Sequence, residues 1–251
     1  MDIAEFNINL DLAKEAAEKS GKLLFKNKKE LNKRLKSNNK DTKLIADLKA
    51  ENLIKEIILK KSRYPILAEE SGKSVEDLGN TFWVIDPLDG TANYNRGIPM
   101  CCVSIGLVRN MKALLGVIYD FNNNDIYVGN SFTKISTLNN EEIFVSDYKK
   151  KSDGVLVTGL PVNSDYSDAS LKKTIDDMQS WKKTRMIGSA AMASCYVASG
   201  KAEMYKEKGV YLWDILAGAA IVESAGGIAD ISNVRDNFQV DVVFSNSHIK
   251  D

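Results

Sequence analysis

Acidic residues recur where apolar runs stop, and the densest group is Asp86-Pro87-Leu88-Asp89-Gly90-Thr91. The run Phe82 to Ile85 reads as a buried strand. It ends on Asp86, because Pro87 forbids continuation and pushes the residue before it toward extended geometry. Two carboxylates as close as Asp86 and Asp89 repel by roughly 4 kcal/mol at 4 Å and an effective dielectric near 20. That cost is tolerable at the surface, or where a cation sits between them. Carboxylates together with a backbone carbonyl are the ligands a hard cation such as Mg²⁺ takes. Gly90 lets backbone approach a ligand, and Thr91-Ala92-Asn93 can open a helix whose N–H groups face an anion. Metal ligands beside such a turn suggest phosphate-ester chemistry. The same residues are also good turn formers, so the spacing alone leaves a plain turn open beside the metal site.

Five other places carry chemistry-bearing residues, most with an ordinary structural role beside them. Glu69 and Glu70 follow the apolar run Tyr64 to Ala68, the second strand to stop on carboxylates. Asp47 begins a helix, where an acidic side chain favours the positive dipole end; its ordinary role is capping. Asp214 stands at the front of an Ala/Gly-rich helix with the same ordinary role. Gly188-Ser189 opens another helix, where free N–H groups and a hydroxyl can meet a polar ligand, and Ser is also a common cap. Glu207, in Lys206-Glu207-Lys208-Gly209, reads on its own as an exposed turn charge. The single histidine, His248, lies three residues from the end, so histidine chemistry is not expected.

The elements that must position these groups fall into two halves. The 251 residues suffice for one large domain or two small ones. A chain of this size buries about 70–75% of its unfolded surface. Its 34 basic and 34 acidic residues cancel, so no overall field draws it to nucleic acid or membrane. Three cysteines, two of them adjacent at Cys101-Cys102, make zinc and a disulfide framework poor readings and fit a reducing cytosol. The N-terminus has no signal-peptide pattern, and no apolar run nears the ~20 residues that span a bilayer. A cytoplasmic location is expected.

Residues 8–36 read as a helix with one apolar face and a lysine-rich remainder, better explained as a solvated face than as a nucleic-acid patch. Residues 37–43 read as a loop and 45–60 as a second helix. The strands at 64–68 and 82–86 are followed by short β-rich segments at 101–108, 113–119, 125–128 and 134–138. This predicts an antiparallel meander with two helices packed on it. From about residue 142 strands and helices alternate, with strands at 154–158, 185–187, 202–205 and 241–245 and helices at 167–181, 189–198 and 213–224. The expected halves are thus 1–141, carrying most of the metal ligands, and a smaller 142–251, supplying Asp214. No Pro- or Gly-rich linker separates them, so they should share an interface.

Three blocks give the sequence a family likeness: Ala68-Glu69-Glu70-Ser71; Trp83-Val84-Ile85-Asp86-Pro87-Leu88-Asp89-Gly90-Thr91; and Trp213-Asp214-Ile215-Leu216-Ala217-Gly218 with Glu223-Ser224-Ala225-Gly226-Gly227. In content, order and spacing they resemble the inositol monophosphatase family of Mg²⁺-dependent, lithium-sensitive phosphatases, which also holds fructose bisphosphatases and phosphoadenosine phosphatases. The likeness runs from about Asp41 to the C-terminus. It implies an α+β fold, an α/β/α/β/α layered sandwich, usually dimeric. It implies two or three Mg²⁺ ions per site. Glu69, Asp86 and the Leu88 carbonyl resemble ligands of the first, and Asp86, Asp89 and Asp214 ligands of the second. By the same likeness Gly90 and Thr91 N–H groups cradle phosphate, while Thr91 and Asp47, with Glu69, orient the attacking water. Asp89, Gly90, Thr91, Ser189, Ala190 and Glu207 fall at substrate-contact positions. The segment Asp41 to Asp47 keeps the family's acidic spacing, although Ala46 stands where a threonine is usual.

The activity implied is hydrolysis of a small polyol or sugar phosphate by metal-activated water. Ala92-Asn93-Tyr94-Asn95 lacks the lysine and acidic residue common after this motif in phosphoadenosine phosphatases. Phosphoadenosine phosphate, fructose bisphosphate and histidinol phosphate remain alternative substrates within the family. A non-catalytic, RNA-associated regulatory protein on this fold is the alternative of another kind.

Overall fold

The computed structural model describes residues 1–37, 42–160 and 166–251. Five layers alternate. The helices Ile3–Lys26 and Ile45–Leu59 form the outermost. They cover an eight-stranded sheet whose central strands are Thr81–Asp89, Cys102–Arg109 and Lys112–Asp120. The helices Ala190–Ala198 and Leu212–Ser224 lie on its other face. A five-stranded sheet follows, with Val155–Thr158, Met204–Tyr211 and Gln239–Ser245 at its centre. Helix Asp168–Ser180 closes the far side, where its Met178 packs with Leu156, Trp181, Met204 and Ile249. This is the α/β/α/β/α sandwich. No helix among the described residues is long and apolar enough to cross a membrane.

Side-chain alternation explains the layering. In the strand Thr81–Asp89, Trp83 and Ile85 join the core under the outer helix pair, whereas Phe82 and Val84 join the core around the middle helices. Ile66 and Ala68 face the outer pair and Leu67 the middle layer. Continued past the apolar residues, the same alternation turns Glu69 and Asp86 toward the middle layer.

A row of glycines sets how deeply that layer sits. Gly106 pairs with Gly116, and Gly116 with Gly129, across three adjacent strands. A Cβ on Gly116 would come within 2.0 Å of the Ala217 carbonyl oxygen, and one on Gly129 within 2.5 Å of the Ala220 carbonyl carbon. The helix backbone at Ala217 and Ala220 therefore rests directly on the backbone of the sheet, and Asp214, one turn before Ala217, is indexed to the large sheet.

Several sequence expectations need correction. The first helix ends at Lys26; a short turn of helix, Lys28–Leu31, and a strand, Arg34–Ser37, replace the remainder expected up to residue 36. The loop expected at 37–43 begins on the last residue of the strand Arg34–Ser37 and runs into the strand Thr42–Leu44; residues 38–41, including Asp41 of the acidic motif, lie outside the described residues. The meander holds one parallel pair, between Ile66–Ala68 and Thr81–Asp89. The strand also continues through Pro87. Pairing is regular up to Asp86–Ser104, shifts, and resumes at Asp89–Cys102. The bulge accommodates the missing N–H of proline. The strand Ile228–Ser232 has no counterpart among the expectations, and the strand expected at 185–187 lies at Lys183–Arg185. Glu207 lies in the strand Met204–Tyr211 rather than in an exposed turn.

Candidate active site

Four helix N-termini meet at the acidic groups. Asp47 is the third residue of helix Ile45–Leu59, and its Oδ2 accepts the Leu44 N–H at 2.6 Å. Asp214 holds the matching position in helix Leu212–Ser224, accepting the Tyr211 N–H at 2.9 Å. Both perform the capping role that their positions suggest, and both have a second oxygen left for other work. Gly90, at φ +85°, caps the short helix Thr91–Arg96; a Cβ there would lie 2.6 Å from the Met100 carbonyl oxygen. Ser189 caps helix Ala190–Ala198, its Oγ accepting the Met192 N–H at 3.2 Å. Positive helix ends offset part of the cost of gathering carboxylates here.

The carboxylates converge from three separate elements. Asp86 lies within hydrogen-bonding reach of Glu69 and is repelled by Glu69, Asp89 and Asp214. Burial is the largest influence, followed by these neighbours, and together they push the Asp86 carboxyl well above the usual range. The Asp214 carboxyl is likewise pushed up, by burial first and then by Asp89 and Glu69. Burial also raises Asp89, opposed by donors: the Ser189 hydroxyl at 2.5 Å and the Ala191 N–H at 2.8 Å, both to its Oδ2. The Leu88 N–H donates to Asp86 Oδ1 at 2.9 Å, which fixes the turn between the two aspartates.

Beside this group, the Thr91 hydroxyl lies 2.9 Å from Asp47 Oδ1 and 3.0 Å from the Leu88 carbonyl oxygen. Burial raises Asp47 to about 6. Glu207 is raised to about 7, first by burial and then by repulsion from Asp89, while the Tyr205 hydroxyl donates to its Oε2 at 3.1 Å. Glu207, Glu69, Asp214 and Tyr211 line a cleft of about 960 Å³ that runs out along the second sheet.

The donor set suits a hard divalent cation. Among the described residues no trio of His, Cys, Asp and Glu side chains has the spacing of a finished metal cage. Mg²⁺ needs none: it usually keeps several waters and binds through one or two carboxylates together with substrate phosphate. Asp86 and Asp89 are buried, Asp214 is half-buried and Glu69 is exposed at the cleft; mutual repulsion among such all-oxygen donors is the condition an ion relieves. The structure brings Asp47, Glu69, Asp86, Leu88, Asp89, Gly90, Thr91 and Asp214 to one end of the large sheet. Ser189 and Ala190 reach the same place through Asp89. Sequence reasoning missed Glu51, whose carboxylate accepts the Glu70 N–H at 2.9 Å. A buried-stripe position occupied by an acid was the available signal.

Comparison with known proteins agrees with this geometry. The sequence model of the inositol monophosphatase family matches residues 8–248. The Nus factor SuhB of Xylella fastidiosa is 36% identical over 217 residues, covering 85% of this chain and 78% of that protein. Bovine inositol monophosphatase 1 is 32% identical over 212 residues, covering 80% and 75%. The structure of the inositol monophosphatase from Anabaena superposes with a TM-score of 0.82 at 31% identity, covering 97% of this chain and 92% of that one.

Proposed function

Because the chain belongs to the inositol monophosphatase family, we propose that it is a Mg²⁺-dependent phosphomonoesterase acting on a small polyol or sugar monophosphate. The observation that supports this most is the convergence of Glu69, Asp86, Asp89 and Asp214 from distant parts of the chain. Glu69, Asp86, the Leu88 carbonyl, Asp89 and Asp214 would hold the ions. When bound, Mg²⁺ supplies positive charge to the phosphoryl oxygens and acidifies a water to a nucleophile near neutral pH.

The chain's own groups do the positioning. Asp47, largely ionised at neutral pH, accepts the Thr91 hydroxyl proton and leaves the hydroxyl lone pairs free to take a hydrogen bond from the attacking water. The first-turn N–H groups after Gly90 have no intrahelical acceptor and hold phosphate oxygens. Ser189 and Ala191 engage one oxygen of Asp89 and so orient the other. Water attacks phosphorus in line as the bond to the substrate alcohol breaks; the water gives up a proton, the departing alcohol oxygen takes one up, and charge accumulates on oxygens already held. Glu207, lining the cleft, faces the alcohol hydroxyls.

The test is phosphate release from a panel of polyol, sugar, nucleotide and histidinol phosphates, with Mg²⁺ and with chelator. Mg²⁺-dependent release, fastest with polyol or sugar monophosphates, is expected. A folded sample that releases phosphate from none overturns the reading. Size-exclusion chromatography with light scattering checks the homodimer that goes with it.

A second reading draws on the relative named as a Nus factor: an RNA-associated role through the lysines at the end of the first helix and just beyond it. Lys19 and Lys22 are occupied by Glu15 and Glu18 one turn away. Lys26, Lys28 and Lys29 line a separate hollow. Salt-dependent RNA binding lost on neutralising Lys26, Lys28, Lys29 and Lys33 would support this role.

A further inference from the structure

Glu51 sits one helical turn after Asp47, on the same face of helix Ile45–Leu59, and both are buried, at 2% and 1% exposure. Asp47 reaches Thr91; Glu51 reaches the segment on which Glu69 stands. One of its oxygens accepts the Glu70 N–H at 2.9 Å, and the other lies 3.6 Å from Lys55 Nζ. Lys55 in turn donates to Ser71 Oγ at 3.0 Å, and the Glu70 side chain is ion-paired with Lys43. The preceding N–H, that of Glu69, donates to the Ile85 carbonyl at 3.1 Å. Two successive backbone donors are thus tied in different directions, one to the strand carrying Asp86 and one to the helix carrying Asp47. A backbone held at consecutive N–H groups has little freedom to rotate, so the Glu69 side chain leaves it in one direction.

We propose that Glu51 is a positioning residue, whose carboxylate fixes the Glu69–Glu70 turn so that Glu69 meets the divalent ion. This rests on Glu69 being a metal ligand. Groups that orient a ligand without touching the ion typically change affinity by about 10–100-fold when altered. Glu51 does so by reach. A glutamine in its place keeps an acceptor oxygen at the same distance from the Glu70 N–H, whereas an aspartate keeps the charge but withdraws the oxygen by one methylene. A role through charge alone, attracting the ion across space, gives the opposite ranking.

Calorimetric titration of the full-length chain with Mn²⁺ decides between them. Uptake by Glu51→Gln within about threefold of wild type, with Glu51→Asp weaker by about tenfold or more, is expected. Wild-type uptake by Glu51→Asp, or loss in a folded Glu51→Gln equal to or greater than that in Glu51→Asp, overturns the inference. Should Glu51→Asp not fold, Glu51→Gln decides: near-wild-type uptake supports positioning by reach, and lost uptake overturns it. A wild-type chain that binds no Mn²⁺ overturns the metal site and this inference together. A wild-type chain that binds while both variants match it overturns this inference alone.

Discussion

The Thr91 hydroxyl stands 2.9 Å from Asp47 Oδ1, joining residues 44 positions apart. The other oxygen of Asp47 caps its own helix. One side chain therefore both anchors an element and sets the direction of a hydroxyl beside the acidic cluster. If that hydroxyl orients the attacking water, Thr91→Val and Asp47→Asn should each lower kcat by about 10²–10⁴-fold. Phosphate release with saturating Mg²⁺ measures this, alongside circular dichroism to confirm folding. Near-normal rates in both variants would remove the pair from the mechanism.

Asp214→Asn separates charge from shape. The amide oxygen still accepts the Tyr211 N–H, while repulsion from Asp89 and Glu69 is relieved. In chelator this variant should melt a few degrees above wild type, the shift that about 1 kcal/mol produces in a chain of this size. With Mg²⁺ the order should reverse and turnover should be lost. Differential scanning calorimetry in both conditions checks the crossing.

The acid cluster also sets a pH dependence. Asp86 and Asp214 are raised, Asp47 to about 6 and Glu207 to about 7. A carboxyl whose folded pKa exceeds its unfolded value keeps its proton longer in the fold. Its stabilising contribution is full below the unfolded pKa and is lost as pH rises through the folded one. The chelated chain should therefore melt lower at pH 8 than at pH 5.5, and by more than a mutant lacking Asp214 does. Mg²⁺ should flatten or reverse the trend, because it takes the place of the lost protons. Melting curves at the two pH values, with and without Mg²⁺, measure it.

Gly116→Ala tests the seat of the central helix. The added methyl would lie 2.0 Å from the Ala217 carbonyl oxygen, backbone that cannot turn aside. A loss of about 1–3 kcal/mol, or more, is expected, together with weaker ion binding because Asp214 moves with the helix. Urea unfolding and Mn²⁺ titration report the two effects separately.

Much of this was legible because chemistry and chain geometry coincide. Glu69 and Asp86 stand where apolar runs end, Asp47 and Asp214 where helices begin, and alternation along a strand already says which way Glu69 and Asp86 turn. What the sequence concealed was set by contacts between distant elements. Pro87 reads as a stop, yet the bulge opposite Ser104 and Cys102 lets the strand continue. Glu207 reads as a surface charge among lysines; pairing with Val242 in the neighbouring strand sets it, half-buried, in the second sheet. Ser189 reads as a cap and is one, but its bond to Asp89, 100 residues earlier, is a tertiary fact. Ile228–Ser232 escaped notice because it is an edge strand with alternate residues exposed, and its short apolar pattern is interrupted by Asp230.

The trough formed by Gly106, Gly116 and Gly129 is made by the first part of the chain and filled by a helix from the last. Neither portion is a finished object: one would offer water a channel of bare peptide, the other an uncovered coil of alanines. Cutting the polypeptide between them should yield two pieces that are poorly soluble alone and that recover activity when coexpressed, docking like a key cut for a single lock.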